Sequence, residues 1–333
     1  MPRPHSVPVA FLTWTVRAGR AKEMAEVFDG KAVVVYPQWA AGFTPFRYLV
    51  SLPLSIARLA WNRPQAVIAT NPPVFSALSA WIYCAVTRKP FVMDAHPVAF
   101  GAKSNVAGRL MLPLTRFLAR RARLTAVTTQ SWVDEVEKWG AQSSELHEAP
   151  TEEDLKAPEV DVTEDTDRSR PKIFYVGIFG GDEPIDAVIS AARACPDYEV
   201  IITGDLARAP EGVVESAPDN VTFCGYLNSS DYRTALVGST VVTSFTTEPT
   251  SVMRAAYEAV YAHKPLVITD TPGSDVVFPH AIRVANEAEA IAAGWRSAIE
   301  RLAELRKVAP DARDLQLSRW NLQRDRLQLA LKP

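Results

Sequence analysis

Short runs of β-branched and aromatic residues recur almost from end to end of this chain, and none alternates polar with apolar. In the first half they are VPVAFLTW (7–14), AVVVYP (32–37), QAVIAT (65–70), PFVMDA (90–95) and LTAVTT (124–129). In the second half they are KIFYVG (172–177), YEVIITG (198–204), NVTFCGYL (220–227), TVVTSF (240–245), PLVITD (265–270) and AIRVA (281–285). Helix-patterned segments such as RAGRAKEMAEVF and VFSALSAWIYCAV lie between them. Strands that are apolar on both faces and spaced by helices belong to parallel sheets covered on both sides. The pattern predicts an α/β chain of two Rossmann-like, doubly wound parallel-sheet domains facing a central cleft. Ligands of such domains bind outside the carboxyl ends of the strands.

At 333 residues the chain is long for a single core. The expected boundary is an acidic linker over 151–170, where EEDLKAPEVDVTEDTDR has no helical or strand period. This leaves a first domain over 1–150 and a second over 171–308. A helix over 309–333 has spare apolar surface suited to packing back on the first domain. The formal charge of −2 gives no field for wrapping nucleic acid. Cys84, Cys195 and Cys224 have no metal or CxxC spacing and read as reduced thiols of a cytoplasmic protein. The amino terminus lacks the pattern of a signal peptide, and no window has the ~18 apolar residues of a membrane span.

The segment EPTSVMRAAYEAV (248–260) follows one strand and precedes another. Pro249 suits the first turn of a helix, which would leave the amides of Thr250, Ser251 and Val252 bare at its start. Such an end attracts anions. Glu258 lies two turns along, on the side of Ser251 and Arg254, at a distance from a bound diphosphate that suits a ribose. The alternative is a surface helix with an Arg254–Glu258 ion pair.

The run TSFTTEPTSVMRAAYEAVYAHKPLVITDTPG resembles the donor-nucleotide segment of GT-B glycosyltransferases, particularly glycosyltransferase family 4. Glu258-Ala259 stands where that family has its ribose glutamate, and His263-Lys264-Pro265 where it has a GKP turn. YVGIFGG (175–181), ITGD (202–205) and NVTFCGYL (220–227) follow the family in order and spacing. The resemblance implies that Gly177, Gly180 and Gly181 let backbone approach a diphosphate, and that the turn at Gly225, Tyr226 and Leu227 packs on a nucleobase. It implies no metal and no resident cofactor, since the nucleotide sugar is a substrate. Two departures stand out. The family's second glutamate, eight positions before the first, is Thr250 here, with Glu248 two residues off register. The family's diphosphate-binding arginine and lysine are replaced in GIFGGDEP by Asp182 and Glu183. Arg254 and Arg208 are the nearest substitutes.

In the first domain, TNPPVFSALSAW (70–81) and FVMDAHP (91–97) end strands and resemble segments of the mannosyltransferase that extends chitobiosyl-lipid. By that likeness His96 faces the transferred sugar; otherwise it is a structural histidine. Asp94 is either a structural anchor or a general base for an acceptor hydroxyl. Asn71 is a candidate acceptor contact. Arg17 and Arg20 either reach a phosphate on donor or acceptor or form a cationic surface turn. From Ala95 to Val133 there is no acidic residue, while Lys103, Arg109, Arg116, Arg120, Arg121 and Arg123 accumulate around LMLPLTRFLA. FTPFRYLVSLPLSIARLAW (43–61) is likewise apolar with spaced arginines. These segments are either core helices with a basic outer face or a docking site for anionic lipid.

The expected function is transfer of a sugar from a nucleoside-diphosphate sugar to a hydroxyl of a glycan, a lipid-linked sugar or an envelope-polysaccharide precursor. The expected place is the cytoplasm or the cytoplasmic face of a membrane. A GT-B sugar-nucleotide epimerase and a non-catalytic accessory subunit are the alternatives. A dehydrogenase is disfavoured, because neither domain opens with GxGxxG and a following acid.

Overall fold

The computed structural model describes residues 8–15, 18–40, 44–101, 106–156 and 170–333. The chain forms two compact units, Met1–Ala149 with Trp320–Pro333, and Pro150–Arg319. Among the described residues no helix is long and apolar enough to cross a membrane.

The first unit is built on six parallel strands: β1 (Val9–Thr13), β2 (Lys31–Val34), β3 (Ala66–Asn71), β4 (Phe91–Ala95), β5 (Leu124–Val127) and β6 (Ser143–Glu145). Their order is β2-β1-β3-β4-β5-β6. The two-residue period of a strand divides its side chains between the faces. Ala10, Leu12, Val67, Ala69 and Met93 pack on helices 44–62, 74–87 and 106–121. Val9, Phe11, Ile68 and Val92 pack on helix 19–27 and on Trp320 and Leu327 of the last helix. β6 escapes sequence reading because Ser143-Ser144-Glu145 has no β-branched residue.

The second unit holds β7 (Lys172–Val176), β8 (Glu199–Thr203), β9 (Val221–Gly225), β10 (Val241–Ser244), β11 (Leu266–Thr269) and β12 (Ile282–Val284), in the order β12-β11-β10-β7-β8-β9. The direction of winding reverses between β7 and β10, so the crevice of this sheet opens where the loops after those two strands emerge. Ile173, Tyr175, Val200 and Ile202 cover one face with helices 185–193 and 288–300, and Phe174, Val242 and Ile268 the other with helix 254–261.

Two expectations are corrected here. Residues 152–155 are not linker but a short helix, because Thr151 and Asp154 form a capping box, and buried Asp154 pairs with Arg233. The remainder of the acidic segment, 157–169, lies outside the described residues. The break expected near residue 308 falls at Arg301, and one helix runs Leu302–Ala330 with Pro310 inside it. Past the proline its apolar positions include Trp320 and Leu327, which pack on the first sheet.

Candidate functional site

In the first unit the chemistry gathers at the carboxyl ends of β3 and β4. Asp94 is buried on β4, and its carboxylate accepts hydrogen bonds from Arg20 Nε at 3.1 Å and Nη2 at 3.2 Å. Arg20 also donates to Glu148 Oε1 at 2.6 Å and to the carbonyls of Leu146 and His147. Burial acts to raise the Asp94 carboxyl, but the adjoining Arg20 guanidinium outweighs it and holds the group well below the usual carboxylate range. Burial likewise opposes the charge on Arg20, yet Asp94 and Glu148 keep it more firmly protonated than an ordinary arginine.

His96 leaves the end of β4 with Nε2 3.4 Å from Asp94 Oδ2 and a side chain that is partly exposed. Its backbone amide donates to the Asn71 carbonyl at 2.8 Å. The Asn71 side chain points inward, donating from Nδ2 to Thr115 Oγ1 at 3.3 Å, and is buried. Asn71 is therefore corrected from an acceptor contact to a buried tie between β3 and helix 106–121. Of the two readings of Asp94, anchor or base, its burial and its two bonds from Arg20 support the anchor, with His96 Nε2 3.4 Å from its Oδ2. Arg20, expected to reach a phosphate, is spent within this cluster. Arg17 lies outside the described residues.

In the second unit the helix expected from Pro249 begins only at Arg254, with Met253 as its cap. Residues 248–251 instead form a turn in which the Ser251 amide donates to the Glu248 carbonyl at 3.1 Å and Thr250 Oγ1 donates to Glu248 Oε1 at 2.9 Å. The side-chain and backbone bonds of this turn compete with the helix and win. The helix start expected at Thr250 and Ser251 is thus displaced to Arg254, where the Ala256 amide donates to the Met253 carbonyl at 3.1 Å.

Glu258 is half-buried on this helix. Arg254 Nε donates to its Oε1 at 2.7 Å and the Tyr232 hydroxyl donates to its Oε2. Burial and the neighbouring Glu258 push the Tyr232 phenol well above its ordinary value, so it stays a donor. Tyr232 comes from the preceding helix, twenty-six residues away, and no spacing rule reveals it.

The glycine loop after β7 departs furthest from expectation. The Glu183 carboxylate accepts from the amide of Ile178 at 2.9 Å and from that of Phe179 at 3.0 Å. A Cβ at Gly177 would stand 2.8 Å from Glu183 Oε2 and 2.7 Å from the Tyr175 ring, so this glycine makes room for the chain's own carboxylate. A Cβ at Gly180 would meet Asp182 Oδ1 at 2.7 Å, and one at Gly181 would meet nothing within 4 Å. Burial pushes the Glu183 carboxyl up despite its amide bonds. Asp182 then ties this loop to the loop after β10, accepting from Thr246 Oγ1 at 3.0 Å and, at its carbonyl, from the Thr247 amide at 2.6 Å.

Beside these loops, at the ends of β10 and β11, lies a small crevice of about 20 Å³ whose hydroxyls come from Ser244, Thr246, Ser251, Thr269, Thr271 and Ser274. A ring of bonds from Thr246 N to Thr269 Oγ1, from Thr269 Oγ1 to Asn286 Oδ1 and from Asn286 Nδ2 to the Thr246 carbonyl fixes its wall. Tyr226 is exposed beside Gly225, which has φ +68°, and Leu227 packs on the core. Arg208 is exposed on the loop after β8.

Residues 3–151 match the family described as glycosyl transferase 4-like domain. Among curated proteins none matches the chain. The fold is similar to that of HepE from Anabaena, solved in complex with UDP and glucose, at 15% identity and TM-score 0.70, covering 98% of this chain and 99% of that one. It is similar to sucrose-phosphate synthase from Thermosynechococcus elongatus at 14% identity and TM-score 0.70, covering 97% and 98%. A glycosyltransferase from Rickettsia africae aligns at 15% identity and TM-score 0.65, covering 98% of each chain. The chain therefore has the GT-B fold, and its residues 3–151 match the glycosyl transferase 4-like domain family.

Proposed function

We propose that the protein is a glycosyltransferase that moves a hexose from a nucleoside-diphosphate sugar to a hydroxyl of a glycan or lipid-linked acceptor. The observation that carries this reading is Glu258, a half-buried carboxylate fixed by Arg254 and Tyr232 on the helix that follows the β10 loop. Each of its oxygens keeps a lone pair for a ribose hydroxyl. HepE, of like fold, has been solved with UDP-glucose, which makes uracil the first base to try.

In this reading the acceptor oxygen attacks the anomeric carbon, the bond from that carbon to the β-phosphate oxygen breaks with its electron pair going to the departing diphosphate, and that diphosphate takes up the acceptor's proton. His96, steadied by Asp94, contacts the transferred sugar. Arg254 or Arg208 supplies the positive charge that meets the departing diphosphate. The reading needs no resident metal or cofactor.

Glu183 favours a second reading. A carboxylate seated on the loop amides, with Asp182 next to it, repels a diphosphate at that place, as expected of a subunit that no longer turns over donor. One experiment separates the two. Thermal shifts are measured with UDP, GDP, dTDP and their sugars, followed by release of free nucleoside diphosphate. A specific ligand at a hundredfold excess over its Kd adds ~2.7 kcal/mol to stability. The transferase reading predicts a shift with one base, its loss in Glu258→Ala, and release of the diphosphate. No shift with any base, or a shift without turnover, would overturn it and select the accessory subunit.

A further inference from the structure

The helix spanning Thr44–Asn62 has an outward face that lacks the polar residues a solvated helix needs. Phe46, Leu49, Pro53, Ala57, Ala60 and Trp61 follow one another at helical spacing and all are exposed, Leu49 at 72% and Trp61 at 63%. Trp39, also 72% exposed, sets its ring edge-on to Phe46 at 5.9 Å. On the helix spanning Val106–Arg121 the exposed positions again include Leu110, Pro113 and Phe117, with Leu110 at 69%. Both helices cover the same face of the first sheet, on either side of helix 74–87, to which Phe117 is joined through Trp81 at 5.1 Å.

The charge along the segment that carries these apolar side chains is almost wholly of one sign, with Glu135, which accepts from Trp139 Nε1 at 3.0 Å, just beyond it. Residues 30–133 contain twelve lysines and arginines and a single carboxylate, Asp94, which is buried against Arg20. Arg47 lies over the rings of Tyr36 and Tyr48, Arg116 over Trp139 and Arg121 over Phe117, while Arg120 donates to the Trp139 carbonyl. These contacts steady the guanidinium groups without cancelling their charge.

We propose that this face of the first unit docks on an anionic lipid bilayer. Exposed tryptophan, phenylalanine and leucine in a field of arginines suit the boundary between acyl chains and acidic headgroups. A nucleic acid would match the charge but offers no hydrocarbon for Leu49, Leu110 and Trp61. The inference stands apart from the donor chemistry, because none of these residues belongs to the sites described above.

The test is flotation of the full-length protein with vesicles of phosphatidylcholine alone and of phosphatidylcholine mixed with phosphatidylglycerol, at ~0.1 M and ~0.5 M salt. Binding to the mixed vesicles only, weakened by salt and accompanied by a blue shift of tryptophan emission, is expected. Leu49→Glu with Leu110→Glu lowers the partition coefficient by tenfold or more. These side chains are exposed, so the thermal melt and the UDP response stay as in wild type. Arg116→Glu with Arg121→Glu weakens binding and flattens its salt dependence. Failure to float with mixed vesicles, equal binding to neutral ones, or an unchanged partition in the leucine variant overturns the proposal. So does self-association in sedimentation velocity that Leu49→Glu abolishes, since a second copy would then be the occupant.

Discussion

Asp94→Asn isolates the buried cluster of the first unit. The substitution keeps the shape but removes the charge, and can turn an amide donor toward the donors of Arg20, 3.1–3.2 Å away. Removing one partner of a buried ion pair costs about 3–5 kcal/mol. Arg20 retains Glu148 at 2.6 Å and two backbone carbonyls, which places the loss near the lower end, ~3 kcal/mol. For a unit of this size that corresponds to a fall in Tm of roughly 6–12 °C.

The pH dependence adds a sharper criterion. Asp94 has a folded-state value depressed below its unfolded 3.8, so its contribution is full above that value and is lost as pH falls through the folded one. Scanning calorimetry of the full chain should show a constant gap between wild type and variant from about pH 5 to 8, narrowing below about pH 4. A gap under ~2 °C, or one that widens on acidification, would refute the assignment of Asp94 as the charged partner of Arg20. Glu148→Gln in the same assay gives a smaller loss. The double variant should lose more than the two single losses combined, because it leaves the buried guanidinium without any carboxylate.

Three further outcomes follow from the second unit. His263 is buried with neither ring nitrogen hydrogen-bonded among the described residues; burial and then Arg313 lower its value, so the fold favours the neutral ring and stability is lost as pH falls below about 6.5. His263→Asn, which tolerates the local φ of +57°, should flatten that loss in thermal melts between pH 7 and 5. Glu183 has its value raised by burial, so its contribution is greatest below 4.5 and declines as pH rises through the folded value; Glu183→Gln should remove this slope. Gly204→Ala places a Cβ 2.6 Å from the Phe179 ring at φ +150°, and should cost about 1–3 kcal/mol in chemical denaturation.

The chain's own order of residues determined the alternation of apolar strands and helices and the two sheets of parallel strands. These are local or periodic properties, carried by β-branched runs such as AVVVYP and KIFYVG and by strand-end motifs such as FVMDAHP. Only the tertiary structure decided which side chains face inward and which partners they find. Asn71 and Asp94 sit at strand ends that suit ligand contacts, yet both turn into the protein, because Thr115 and Arg20 arrive from helices far along the chain. Glu183 shows the same limit at short range. Its carboxylate reads as a charge unsuited to a phosphate loop, but its seat on the amides of Ile178 and Phe179 depends on the turn that the backbone takes. Periodicity records how often a residue meets a surface; hydrogen bonds between distant elements record which one, and those are set only when the sheets have formed.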